Sequence, residues 1–117
     1  MENSHYFTDN SALPSNRKDH EFTFSGHHYT FRTDDGVFSK TGVDYGSQVL
    51  LKALRKEELY GSVLDLGCGY GVIGIVLKTL FPDCAVTCSD VNPRAAELAG
   101  INGRLNSADI RVLVSDR

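Results

Sequence analysis

The chain has 117 residues and a mass of 12.8 kDa, 41% hydrophobic and 23% charged, with a formal net charge of −3. A chain of this size and composition builds one core without metals or disulfides and is not intrinsically disordered, and no apolar run approaches the ~20 residues that cross a bilayer. The acidic balance excludes a global field for nucleic acid: residues 1–40 carry four Lys/Arg against six Asp/Glu, and residues 41–117 eight against nine.

Residues 1–20 are polar and aperiodic, with Pro14 and several Asn and Ser. They predict a loose arm, with neither a signal peptide nor a membrane anchor, in a cytoplasmic protein. Phe22, Phe24, Tyr29 and Phe31 then alternate with polar residues around Ser25-Gly26, which predicts a β-hairpin over 21–33 with one aromatic face. The glycine-rich stretch up to residue 46 reads as a shaped loop. From Gly46 to Leu59, Val49, Leu50, Leu54 and Leu59 fall at helical spacing, and Gly61 is the expected stop.

Beyond this point strands and helices alternate. Ser62–Leu66, Ala85–Ser89 and Ile110–Val114 read as strands, and Val72–Phe81 as a mostly apolar helix ended by Pro82-Asp83. Asn92 caps a further helix whose first residue, Pro93, has no N–H to lose there. Such a βαβαβ order predicts a parallel sheet with right-handed crossovers.

Gly67, Gly69, Gly71 and Gly74 lie between the first strand and its helix. Glycines there let the backbone turn sharply and approach a ligand closely, next to the free N–H groups of a helix start. Two fingerprints fit. Asp65-Leu66-Gly67-Cys68-Gly69-Tyr70-Gly71 matches the D-x-G-x-G-x-G loop of S-adenosylmethionine-dependent methyltransferases. Gly69-Tyr70-Gly71-Val72-Ile73-Gly74 matches the G-x-G-x-x-G of dinucleotide-binding oxidoreductases, with Asp90 at about the right distance for a ribose. Charge favours the first: a carboxylate at Asp65 repels a pyrophosphate and attracts a sulfonium and an ammonium. The alternative for Asp65 is capping of loop N–H groups, and for Asp90 a helix-capping role shared with Asn92.

With His5-Tyr6-Phe7, Gly36-Val37-Phe38-Ser39, Val43-Asp44-Tyr45-Gly46-Ser47 and Asp90-Val91-Asn92-Pro93-Arg94-Ala95 added, the sequence resembles class I S-adenosylmethionine-dependent methyltransferases. More narrowly, it resembles the bacterial family that methylates guanine N2 in small-subunit ribosomal RNA. The resemblance covers nearly the whole chain and implies a Rossmann-like α/β fold, here its first three parallel strands with the second in the middle. It divides the chain into the arm 1–20 and the N-terminal, cofactor-binding part of a methyltransferase domain over 21–117: hairpin 21–33, loop 34–46, βαβαβ 47–117, truncated at 117.

Carried over by position, the resemblance implies S-adenosylmethionine as cofactor. The loop from Gly67 through Cys68, Gly69 and Tyr70 to Gly71 lines its methionine part, above Asp65. Asp90 takes the ribose hydroxyls, Val91 and Asn92 border the adenine, Ser115 and Asp116 meet its amino group, and Phe38 helps close the pocket. The substrate implied is ribosomal RNA or the small ribosomal subunit. The family's Asn-Pro-Pro catalytic motif has no match, so no catalytic residue is assigned, and a non-catalytic cofactor-binding module stays open beside the oxidoreductase reading. An open edge on the first strand would permit self-association.

Other candidates read as structural. Cys68, Cys84 and Cys88 form no C-x-x-C pair and suit reduced thiols rather than a metal site, with Cys68 a small packing residue. His27-His28 reads as solvated or half-buried, and Arg17-Lys18 and Lys52, Arg55 and Lys56 as solvated faces.

Overall fold

A turn that favours left-handed backbone starts the structure. In a computed structural model, which describes residues 16–34 and 43–115, strands β1 (Lys18–Phe24) and β2 (His27–Thr33) pair antiparallel across Ser25-Gly26. Both loop residues have positive φ, +52° and +81°, the geometry whose twist matches that of the flanking strands. The hairpin begins three residues earlier than the sequence pattern suggested. Asp19 lies opposite Arg32 and its Oδ1 accepts from the Arg32 Nε at 2.9 Å, while the His20 and Thr33 side chains are hydrogen-bonded at 3.1 Å, so part of the expected arm is held in the ladder. Phe22, Phe24, Tyr29 and Phe31 form the expected aromatic face, with the Tyr29 and Phe31 rings stacked at 5.8 Å. His27 and His28 are exposed, and His28 pairs with Glu21.

Helix α1 (Tyr45–Leu54) starts at Asp44, whose Oδ2 accepts from the Ser47 N–H at 3.4 Å and whose Oδ1 accepts from the Ser47 hydroxyl at 2.7 Å. It ends five residues before the expected Leu59. The run Arg55-Lys56-Glu57-Glu58 has nothing apolar to bury, and the bonds from Lys56 N–H to the Ala53 carbonyl and from Glu57 N–H to the Leu54 carbonyl tighten the chain into a turn. Leu59 is still drawn inward, packing against Cys84, Val86 and Cys88. Gly61, at φ +77°, leads into the next strand rather than stopping the helix.

Strands β3 (Ser62–Leu66), β4 (Ala85–Asp90) and β5 (Arg111–Val114) form one parallel sheet in the order β3-β4-β5. The middle strand is the one expected there. Helices α2 (Val72–Leu80) and α3 (Pro93–Leu105) both pack on β4. Gly74 lies where α2 crosses the sheet: a Cβ there would stand 2.3 Å from the Cys88 Sγ. Leu64 and Leu66, alternating with the half-buried Val63 and Asp65, are 54% and 58% exposed, and among the described residues β3 pairs only with β4. Among those residues no helix is long and apolar enough to cross a membrane.

The hairpin joins this sheet through its aromatic face and through α3. Phe31 meets Tyr70 edge-on at 6.0 Å, inside a core that includes Leu51, Val72, Ile75, Val76 and Leu98. The Arg55 guanidinium covers the Phe24 ring from 5.6 Å, so Arg55 contributes to packing as well as to a solvated face.

Candidate functional site

In an open α/β sheet a ligand binds beyond the carboxyl ends of the strands, and here those ends are tied together through backbone groups. The chain leaves β3 at Leu66, and the Gly67 and Cys68 N–H groups both donate to the Ser89 carbonyl of β4, at 2.8 and 2.9 Å. Gly67, Gly69 and Gly71 follow at φ +71°, +58° and +103°, a region that L side chains rarely adopt. The Gly71 N–H returns to the Cys68 carbonyl at 3.0 Å, closing the loop before α2 begins.

Asp90 ends β4 with both carboxylate oxygens engaged. Oδ2 accepts from the Gly69 N–H at 2.8 Å and Oδ1 from the Asn92 N–H at 2.9 Å. Its carbonyl accepts from the Ser115 N–H at 2.9 Å, and the Ser89 hydroxyl donates to the Ser115 carbonyl at the same distance. Asn92 caps α3 by accepting from the Arg94 N–H at 2.9 Å, with Pro93 as first residue. Val91 between them is exposed.

Asp65 lies on the helix-facing side of β3, where its Oδ2 accepts from the Gly74 N–H at 3.1 Å. Gly71, the residue preceding α2, has no side chain to cap it, so Asp65 does so from the neighbouring strand. Burial pushes the Asp65 carboxyl above the usual aspartate range, the Gly74 N–H pulls it back, and the Asp90 charge pushes it up further. Two carboxylates therefore share one end of the sheet, each holding a backbone N–H of the glycine segment.

The structure thus brings Asp65, Gly67, Cys68, Gly69, Tyr70, Gly71, Asp90, Val91, Asn92 and Ser115 to one place, while Phe38 and Asp116 lie outside the described residues. Two of these side chains do other work. Tyr70 is 5% exposed with its ring in the core, so only its backbone belongs to the loop. Cys68 packs toward Cys84, Val86 and Cys88. A hydrogen bond to Cys88, burial and the charges of Asp65 and Asp90 hold its thiol far above the ordinary cysteine range, the opposite of what a nucleophile needs.

Sequence reasoning missed Asn102 and Asn106 of α3. Asn102 is fully buried and reaches both the hairpin and the glycine loop. A signal existed for Asn102: asparagine is unfavourable inside helices because its side chain competes for backbone groups, so one in mid-helix needs a partner outside it, whereas Asn106 follows the last helical residue as the C-cap.

A family model described as the methyltransferase small domain matches residues 28–117. The chain belongs to this family. The chain is 38% identical over 113 residues to a Bacillus subtilis protein named uncharacterized protein YbxB, covering 96% of this chain and 56% of that protein. It is 42% identical over 90 residues to ribosomal RNA small subunit methyltransferase C of Serratia proteamaculans, covering 77% of this chain and 26% of the relative. In structure it is similar to the T. thermophilus 16S rRNA N2 G1207 methyltransferase, solved with AdoMet and guanosine: TM-score 0.78, 28% identity, 89% of this chain and 29% of that one. M. jannaschii TYW2 shares the fold, with TM-score 0.62 at 19% identity over 87% of this chain and 45% of that one. The chain therefore spans just over half of the Bacillus relative and about a quarter of the Serratia one.

Proposed function

We propose that this chain is the cofactor-binding part of an S-adenosylmethionine-dependent methyltransferase that acts on guanine N2 of small-subunit ribosomal RNA. One observation carries the choice of cofactor. Two of the N–H groups that a dinucleotide's pyrophosphate would use, in the glycine loop and at the start of its helix, are already held by carboxylates: Gly69 by Asp90 and Gly74 by Asp65. A pyrophosphate arriving there would lose those donors and face two negative charges. A ligand with a sulfonium and an ammonium meets the opposite field, so the donor set fits S-adenosylmethionine.

Asp65 and the backbone from Gly67 to Gly71 would hold the methionine end. Asp90 has acceptor capacity left on each oxygen for a ribose diol, because a carboxylate offers about four lone-pair sites and two are used. Val91 and Asn92 would border the adenine, Ser115 and Asp116 would meet its amino group, and Phe38 would help close the pocket. Once bound, the cofactor supplies an electrophilic methyl group, while this chain's residues would orient it and supply the negative field that attracts its sulfonium and ammonium groups. The RNA substrate rests on the relatives' names and on the T. thermophilus neighbour, since 12 Lys and Arg against 15 Asp and Glu give no net positive charge to draw it.

Deleting the gene is expected to remove one N2-methylguanine from small-subunit ribosomal RNA, read by mass spectrometry of its nucleosides and fragments. Retention of every such modification would exclude this substrate.

A further inference from the structure

Among the described residues, the outer edge of β2 is covered by side chains rather than by another strand. Asn102 Oδ1 accepts from the Arg32 N–H at 2.7 Å, and its Nδ2 donates to the Arg32 carbonyl at 3.0 Å. Asn106 repeats the pattern two residues back on the strand, with the Thr30 N–H at 3.0 Å and the Thr30 carbonyl at 2.9 Å. The spacing explains the fit: residues two apart on a strand are separated by about 6.7 Å, and residues four apart on a helix by about 6 Å. The two amides thus act as a substitute strand, but they differ in one bond. The second Nδ2 hydrogen of Asn102 goes to the Tyr70 carbonyl at 2.8 Å, inside the glycine loop, whereas that of Asn106 goes to the Asn102 carbonyl of its own helix.

The bond from Asn102 acts on one peptide plane. The carbonyl of the Tyr70–Gly71 peptide is held by Asn102, and its N–H by the Cys68 carbonyl. Gly71, at φ +103°, presents no side chain to resist rotation of that plane, so the two hydrogen bonds fix its direction. We propose that Asn102 is a positioning residue that locks the Tyr70–Gly71 peptide and makes cofactor affinity depend on hairpin docking. This rests on the cofactor reading above. Linkage makes the coupling reciprocal: docking of the hairpin raises affinity for the cofactor by the factor by which the cofactor holds the hairpin.

The test compares Asn102→Ala with Asn106→Ala, which removes the equivalent hairpin bonds and leaves the loop untouched. Calorimetric titration with S-adenosylmethionine is expected to show about tenfold weaker binding for Asn102→Ala and a change under twofold for Asn106→Ala. Without cofactor, hydrogen exchange at the Gly71 amide is expected to accelerate at least tenfold in Asn102→Ala alone. Equal effects of the two substitutions on both readouts would overturn the proposal. An unmutated chain that does not bind S-adenosylmethionine, while Gly71 exchange still responds to Asn102→Ala alone, would overturn the cofactor reading and leave the loop lock standing. If Asn102→Ala does not fold, the unmutated chain decides. Saturating cofactor should slow exchange at the Arg32 amide about tenfold more than at the Thr30 amide, and equal slowing would overturn the coupling.

Discussion

Gly74→Ala is expected to destabilise the chain by about 3 kcal/mol, the upper part of the range for overpacking a core. The helix contributes no side chain at this point, and those of Cys88, Asp65 and Val86 reach it from the sheet. The new methyl would lie 2.3 Å from the Cys88 Sγ, while its contacts with Asp65 and Val86, both at 3.4 Å, are ordinary. Cys88 is fully buried and has little room to yield, so relief requires α2 to lift from β4. Lifting α2 would also stretch the bond from the Gly74 N–H to Asp65. Since the clash is with one sulfur, Gly74→Ala combined with Cys88→Ala should recover much of the loss, as a coupling of about 1–3 kcal/mol in a urea-unfolding double-mutant cycle. Strictly additive losses would show that the close approach does not set the cost.

Asp65→Asn should separate stability from binding. The amide keeps an acceptor for the Gly74 N–H and removes a charge that burial and Asp90 both disfavour. Because the folded-state pKa of Asp65 lies above its ordinary value, the cost of ionising it in the fold is absent in acid and develops as pH rises through the folded pKa. The variant is therefore expected to melt a few degrees higher than the parent at neutral pH, with the difference closing on acidification. Calorimetric scans at neutral and acid pH read this. The same variant loses the negative charge that favours a cationic ligand, and its affinity for S-adenosylmethionine should fall about tenfold, or about 1.4 kcal/mol. A variant destabilised at neutral pH would mean that Asp65 serves the fold as a cap before it serves a ligand.

The sequence showed most of the frame because the frame depends on period and punctuation. The alternation of strands with helices located β3, β4 and β5, Asn92-Pro93 located the start of α3, and Ser25-Gly26 located the hairpin turn. Positions whose role depends on a distant partner were harder to place. Leu59 fits the helical period yet leaves the helix, because its burial is provided by Cys84, Val86 and Cys88. Tyr70, read as a loop residue, is a core ring placed by Phe31, some forty residues earlier in the chain. Asn102 sits at a position that a propensity scale treats as merely unfavourable and Asn106 at a helix end where asparagine is ordinary, and the β2 edge they cover is unrelated to them in sequence. The two carboxylates were identified by type, whereas the N–H groups that they occupy became apparent only in three dimensions.

Those occupied N–H groups make cofactor choice the most direct test of the account. Calorimetric titration of the unmutated 117-residue chain with S-adenosylmethionine, and separately with a nicotinamide dinucleotide, is expected to show one site for the first and none for the second. Asp90→Ala should weaken the S-adenosylmethionine site by about 1–3 kcal/mol, the cost of leaving buried hydroxyls without an acceptor. Binding of the dinucleotide, or S-adenosylmethionine affinity unchanged by Asp90→Ala, would contradict the account.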